Sequence, residues 1–330
     1  MIDKTVLVIG DLHLGVSKNS SVFFDTALRY AEWIRDLCNS HGIKQIIQLG
    51  DIFHHDNVLH INALNGAFKF FEILKDFEIH IPVGNHDVPY KNSTTIHSLQ
   101  LLSNWPNITI HDKVSTIGDV TFCGWATKLE DIPKKQGIIF GHFDIRGFEM
   151  SAGKISEHGY TASELMERCD LLMTGHYHKP QRRIYKNKML CYTGSCYQLN
   201  WGESGEEKYA YVLDTELKKF TAIPNTVSPR FEYIRGTEDY HKIPNNFIAI
   251  ECDADEYNTL TSDIMVKKAI GIKTIQRKKV KELSEDITSQ FTGINIHDVI
   301  DEWTAAHPEI DGDEKKSVAE RGKKMYDGCI

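Results

Sequence analysis

The sequence predicts an α/β fold built on a largely parallel sheet, and three observations predict it. Apolar runs of strand length alternate with segments of helical spacing over residues 1 to about 180. That order gives parallel strands with helices on the sheet faces. Five of the apolar runs stop at a glycine that adjoins an Asp, His or Asn. After residue 178 the pattern shortens to strands and turns, which reads as antiparallel strands completing a second sheet.

The elements follow in order. Residues 5–9 form a strand that leads through Gly10 into Asp11-Leu12-His13. Residues 23–39 carry Phe24, Ala27, Leu28, Ala31, Ile34 and Leu37 at helical spacing. The run 46–49 leads to Gly50-Asp51, and a second helix is expected over about 57–76, with Leu59, Leu64, Ala67, Phe68, Phe71 and Leu74. The run 79–83 leads to Gly84-Asn85-His86-Asp87, before a third helix over about 95–103. The run 138–140 ends at Gly141-His142, and 171–174 at Gly175-His176-Tyr177-His178. The short strands are 189–192, 209–214 and 220–223. Pro224, Pro229 and Gly236 mark a break. Strand 247–252, helix 255–269 and strand 272–275 then form a small β-α-β unit. Residues 277–290 read as a charged linker, and 294–306 and 312–326 as two short tail helices. The expected division is 1–235, a small unit 236–283, a linker 284–293 and a helical tail 294–330.

Composition sets bounds on function. The 330 residues, 41% hydrophobic and 25% charged, suit a globular protein. A net charge of −8 repels polyanions as a whole, so any nucleic-acid contact must come from a local basic patch, metal ions or a partner. The seven cysteines are scattered without a C-x-x-C pair, which points to reduced thiols and a cytoplasmic protein rather than a disulfide frame. The N-terminus does not read as a signal peptide, and no apolar run approaches the roughly 18 residues that span a bilayer.

Strand C-termini in an α/β sheet gather at one edge, so the ligand-bearing ends describe one site. A lone Gly-Asp or Gly-His is ordinarily a turn; Asp11, His13, Asp51, Asn85, His142, His176 and His178, each after a strand, are a set. Their oxygen and nitrogen atoms, with no thiolate, suit manganese, iron or magnesium. Two ions roughly 3.5–4 Å apart share a bridging carboxylate in hydrolytic sites, a part Asp51 can play. Asp11 and His13 can reach one ion, Asn85 and His142 the other, and His176 and His178 one each. His86 would act as general acid or phosphate stabiliser, oriented by Asp87. His54 and His55, near Asp51, stay ambiguous, and the other histidines read as surface or packing residues.

D-x-H, G-D, G-N-H-D, G-H and G-H-x-H in this order resemble the calcineurin-like metallophosphoesterase superfamily. Gly10 to Gly15, Gly50 to Phe53, Gly84 to Asp87, Gly141 to Asp144, Gly175 to His178 and Thr193 to Gln198 are most similar to the SbcD-type, meiotic-recombination-eleven nuclease subunits, the bacteriophage members in particular. The likeness covers residues 1 to about 235. It implies a two-sheet metallophosphoesterase core flanked by helices, with 236–283 as a capping domain. It implies Asp11, His13, Asp51 and His178 on the first ion, and Asp51, Asn85, His142 and His176 on the second, with two Mn2+ preferred over Mg2+ or Fe2+. His86 matches the family's catalytic histidine. The family often reads G-D-x-F-D, whereas here His54 follows Phe53, which puts the support of the site in question.

The resemblance further implies a double-strand 3′-to-5′ exonuclease and single-strand endonuclease acting in recombination, repair or DNA processing. It implies a homodimer and a partner ATPase of the SMC-like, long-coiled-coil ABC type. The dimer would use the helices bearing Leu59, Phe68, Leu99 and Leu102, which could equally be core. The tail stripe Ile296, Val299, Ile300 and Trp303 would bind the ATPase, or pack on this chain. Lys179, Arg182 and Arg183 read as a DNA-backbone contact or as a solvated hairpin face. Alternatives are a metallophosphoesterase with a non-DNA substrate and an inactive scaffold of the same fold. Asp87 in place of Glu, and no arginine soon after Asp51, argue against a protein phosphatase.

Overall fold

The computed structural model describes residues 1–151, 153–253, 268–276 and 312–327. The first sheet contains β1 (Thr5–Ile9), β2 (Gln45–Gln48), β3 (Glu78–Pro82) and β4 (Ile108–His111), mutually parallel. The second is built from β5 (Ser115–Ile117), β6 (Val120–Cys123), β7 (Gln136–His142), β10 (Cys169–Gly175), β11 (Gln181–Tyr185) and β12 (Lys188–Tyr192). A hairpin, β8 (Glu149–Ser151) and β9 (Lys154–Ile155), lies between β7 and β10 in sequence. β13 (Tyr209–Asp214) and β14 (Lys219–Pro224) return to the first sheet, β13 antiparallel to β1. The sheets therefore run β14-β13-β1-β2-β3-β4 and β11-β12-β10-β7-β6-β5.

The α/β class stands as expected, and the partition of strands differs. β13 and β14 extend the first sheet instead of completing the second, and β12 pairs parallel to β10. The apolar runs at 138–140 and 171–174 belong to a different sheet from those near the N-terminus. Strands buried on both faces read as continuous apolar runs, so their pattern does not say which sheet they join.

Burial shows two sheets stacked between helices. Leu7, Ile9 and Ile46 face α1 (Ser21–His41) and α2 (Ile61–Ile73), packing against Ala27, Tyr30, Ile34, Ala67 and Phe70. The alternate residues Val6, Val8, Ile47 and Leu49 pack on Phe122, Ile138, Phe140, Leu171 and Met173 of the second sheet. The period of two in a strand produces this split. The outer face of the second sheet, with Ile139 and Leu172, covers Leu165 and Met166 of α3 (Ala162–Met166). α3 opens on a capping box, in which Thr161 accepts from the Glu164 amide and Glu164 from that of Thr161.

The second expected helix starts only at Ile61. The third is a single 3-10 turn, Ser98–Leu102. Residues three apart eclipse in that geometry, and Leu99 and Leu102 both point into the core. They are therefore unavailable to a partner, whereas Phe68 stays 39% exposed.

A third sheet joins β15 (Phe231–Ile234), β16 (Phe247–Cys252) and β17 (Gly271–Gln276), all parallel. Its first strand precedes residue 236. The expected helix over 255–269 falls mostly outside the described residues. Residues 1–276 form one compact unit and 277–330 another. In the second unit only α4 (Gly312–Asp327) is described, matching the second tail helix. Ile296, Val299, Ile300 and Trp303 lie outside the described residues. The six described cysteines are buried and free. Among the described residues no helix is long and apolar enough to cross a membrane.

Between the sheets, His80 Nδ1 meets His111 Nε2 at 3.0 Å, and the His111 ring stacks on Phe122 at 3.9 Å. Burial, then the neighbouring His80, pushes His111 down to about 3. Glu78, 3.2 Å from His80, and Ser115, hydrogen bonded to His111, complete the pair's polar surroundings. An unfolded histidine titrates near 6.5. As pH falls below that value the unfolded chain gains a proton that the folded chain refuses. His111 should therefore cost roughly 1.4 kcal/mol of stability per pH unit between about pH 6 and 4. Urea unfolding of wild type and His111→Phe across this range checks it; parallel pH slopes would remove His111 as the cause.

Candidate metal centre

Three ligand-bearing loops leave the first sheet and two leave the second, and they meet where the strand C-termini of both sheets converge. Asp11 and His13 follow β1, Asp51 follows β2, and Asn85 to Asp87 follow β3. His142 ends β7, while His176 and His178 follow β10. The backbone bridge Asp11 to Ser195 and the bond from the Cys196 amide to the Asp11 carbonyl tie the β12–β13 loop to this point.

Local backbone geometry is costly here. His13, Asp51 and His176 have φ values of 49°, 53° and 96°, a region that non-glycine residues rarely occupy and that gathers at functional sites. Gly84 and Gly175 are needed for close approach, since a Cβ on Gly84 would strike Asp51 and one on Gly175 would strike Asp11. Of the five glycines beside the motifs only Gly50, at φ 91°, serves through a left-handed turn.

The structure brings all seven expected ligands together. His13 Nε2 and His178 Nε2 face each other at 2.9 Å. Asn85 Oδ1 lies 2.9 Å from His142 Nε2 and 2.7 Å from His176 Nδ1. Asp51 Oδ2 stands 3.4 Å from His142 Nε2 and 3.6 Å from His13 Nε2. Asp11 accepts the His176 amide and lies 4.0 Å from His178 Nε2.

These residues fit divalent cations on three counts. Asp51 Oδ2 and His13 Nδ1 are buried without a hydrogen-bond partner, an expensive state unless something else satisfies them. Donor atoms of Asp11, His13 and His178, and of Asp11, Asp51 and His142, converge within 4.8 Å. Tautomers add the third count. A carbonyl can only accept, so His142 Nδ1 donates to Leu49 at 2.7 Å. His178 Nδ1 likewise donates to the Glu203 carboxylate at 3.0 Å. With Nδ1 so anchored, each ring aims Nε2 into the cluster, His142 toward Asn85 and Asp51 and His178 toward His13 and Asp11, the orientation a metal-bound imidazole takes.

Titration shifts agree with a crowded, buried cluster. Burial opposes the charged form of Asp51, yet the charge of His142 3.4 Å away holds the carboxyl well below the usual range, and Asp51 in turn raises His142 to about 9 against burial. Burial pushes Asp11 up to about 6. Burial, then His142, lowers His176 to about 3, and burial, then His178, lowers His13. Both are thus neutral, as ligands must be.

His86 is half-buried beside the cluster, its ring 4.8 Å from that of His13. Its amide donates to Asp51 Oδ1 at 2.8 Å, and its Nδ1 to the His54 carbonyl at 2.8 Å. This corrects the expected role of Asp87. The Asp87 carboxylate does not touch His86. Its oxygens accept the amides of Gly84, Asp51, Ile52 and Phe53 at 3.0, 2.9, 3.1 and 3.4 Å. Asp87 therefore clamps the Asp51 and Asn85 loops together. Burial, then the Asp51 charge, pushes its carboxyl up to about 7 against the pull of these amides. His54, where the family often has Asp, stacks on His86 at 5.8 Å, and burial lowers it to about 4.

Sequence reasoning missed Glu203 and Lys208. Glu203 orients His178 and pairs with the buried Lys208 ammonium at 2.8 Å, which also donates to the His178 carbonyl. Burial opposes the Glu203 charge, but the His178 bond and Lys208 hold the carboxyl at about 2. Nothing in the local pattern around Trp201-Gly202-Glu203 signals this. Among the basic residues, Lys179 is paired with Glu149 at 2.6 Å, and Arg183 lies 4.1 Å over the Phe148 ring and donates to the Gly147 carbonyl. Arg182 is exposed on β11.

No protein-family model matches the chain. It is 23% identical over 97% of its length to Exonuclease subunit 1 of Enterobacteria phage T4, covering 98% of that protein. It is 29% identical over 60% of its length to protein 244L of Invertebrate iridescent virus 6, named as a phosphoesterase, covering 72% of it. An archaeal phosphodiesterase structure aligns with 67% of the chain and 99% of its own, at 15% identity and a TM-score of 0.37, too low to carry a fold assignment.

Proposed function

We propose that this chain is the dinuclear-metal DNA nuclease subunit of an SbcD-type metallophosphoesterase nuclease, cutting phosphodiesters by hydrolysis. The supporting observation is the convergence of Asp11, His13 and His178, and of Asp11, Asp51 and His142, with Asn85 between His142 and His176, beside the unsatisfied, buried Asp51 Oδ2. Asp11, His13, Asp51 and His178 would hold one cation and Asp51, Asn85, His142 and His176 the other. When bound, the pair would activate water and neutralise charge on the phosphodiester. Manganese suits the oxygen and imidazole donors, as do magnesium and iron. Glu203 fixes the His178 tautomer, and the Leu49 carbonyl that of His142. His86, anchored at Nδ1, presents Nε2 to protonate the leaving oxygen.

The reading carries 3′-to-5′ exonuclease action on duplexes and endonuclease action on single strands. End-labelled duplex and circular single-stranded DNA, incubated with manganese or with EDTA, test it. Bis-p-nitrophenyl phosphate and a phosphopeptide serve as alternative substrates. Cleavage of the phosphopeptide without either DNA would overturn the DNA assignment.

A homodimer rests on the exposed apolar side chains around α2 and the 3-10 turn. Val58, Ile61, Ile96 and Leu101 are 62%, 75%, 56% and 46% exposed, and Phe68 adds to them. A two-fold contact would bury them. Sedimentation should show a dimer for wild type and a monomer for Ile61→Glu/Leu101→Glu. A wild-type monomer independent of concentration would sink the dimer.

A partner follows in name from the phage relative's designation as a subunit. We assign its contact to the tail stripe Ile296, Val299, Ile300 and Trp303, and its class to an SMC-like ABC ATPase. Removing residues 291–330 should preserve metal-dependent cleavage and abolish co-purification with the ATPase. Full-strength binding by the truncated chain would refute the assignment.

A further inference from the structure

Trp125 has features that packing alone does not require. It follows β6, half-buried, with its ring 5.0 Å from His176 and 6.1 Å from His142. Its Nε1 donates to the Lys91 carbonyl at 2.9 Å, which fixes the indole plane. Ala126 after it takes φ 62°, a conformation that alanine rarely adopts. Trp125, Ala126 and Thr127 line two cavities. One, of about 370 Å³, is lined by Trp125, His142, Tyr160, Lys91 and Arg146 and so opens onto the metal centre. Its carboxylates, Asp144 and Glu164, accept from the Tyr177 and Ser156 hydroxyls and from Thr161, and Lys91 and Arg146 balance their charge within the same lining. The other, of about 510 Å³, is lined by Asp112, Lys113 and Asp131 and by none of the seven expected ligands.

We propose that the smaller cavity seats the nucleotide adjoining the scissile phosphodiester, its base stacked on Trp125 and its outer phosphate facing Lys91 and Arg146. The inference rests on the nuclease reading and names how that site holds its substrate. The volume lies in the range of small-ligand sites, roughly 300–1,000 Å³. Stacking on an aromatic face accepts every base, which a nuclease moving along a strand requires. Arg146 is held in place for this, since its Nε and Nη2 donate to the Gly159 carbonyl at 3.2 and 3.0 Å and its remaining N–H groups stay available to a phosphate.

Equilibrium dialysis of the full chain with manganese tests the seat, using dAMP and base-free deoxyribose 5-phosphate. Trp125→Ala should weaken dAMP binding roughly tenfold to a hundredfold, Trp125→Phe should recover most of it, and deoxyribose 5-phosphate should bind all three proteins alike. Manganese stoichiometry should not change. Equal weakening of both ligands would show that Trp125 only supports His176, and unaltered dAMP binding would show that no base stacks there; either overturns the proposal. In cleavage, Trp125→Ala should raise KM for a duplex with a normal terminal nucleotide but not for one ending in an abasic residue. If wild type cuts no DNA yet binds dAMP through Trp125, the nuclease reading fails and the nucleotide seat stands. If DNA is cut and dAMP binding ignores Trp125, the seat fails and the nuclease reading stands.

Discussion

Asp51→Asn should reduce manganese-dependent DNA cleavage to background while leaving the chain folded. The side chain is buried, its Oδ1 is occupied by the His86 amide at 2.8 Å, and its Oδ2 has no hydrogen bond. Asparagine keeps the volume and removes the charge that both cations would share. It would also turn an N–H or a weaker oxygen toward His142 and His13, which stand 3.4 and 3.6 Å from Oδ2. Calorimetric titration should show lost manganese binding, and circular dichroism an unaltered fold. Near wild-type cleavage in this variant would remove Asp51 from the bridging role and with it the two-ion arrangement.

His86→Gln should separate chemistry from metal binding. The ring is anchored through Nδ1 to the His54 carbonyl, so Nε2 alone can serve the reaction. Loss of a general acid lowers the rate by roughly 10²-fold or more. The glutamine variant should show that fall in kcat with manganese stoichiometry unchanged. Asn85→Ala should do the reverse, since Asn85 Oδ1 lies between His142 and His176. Loss of an ion on changing His86 would exchange the two roles. A substrate with a good leaving group, such as a p-nitrophenyl ester, needs less protonation and should lose less rate in His86→Gln than DNA does.

The sequence by itself determined the class of the fold and the residues at its strand ends. Apolar runs of strand length, each closed by Asp, His or Asn, were visible because strand length and turn chemistry are local properties. The helix at 23–39 was visible for the same reason, its apolar spacing reporting the face that meets the first sheet. Where several elements compete for one residue, local pattern fell short. β13 and β14 carry no mark that sends them to the first sheet, because partners in a sheet are chosen by long-range pairing. Leu99 and Leu102 read as surplus apolar residues until a 3-10 turn aimed both inward. Asp87 sat beside His86 in sequence and so seemed its partner, yet its oxygens reach back to the amides of Asp51, Ile52 and Phe53. Glu203 and Lys208 meet His178 only because the β12–β13 loop folds back over the strand ends. Only the tertiary structure decided these, and the reason is the same for each. A buried carboxylate or ammonium is stable where the fold delivers its partner, and nothing at that residue's own position in the chain records which partner will arrive.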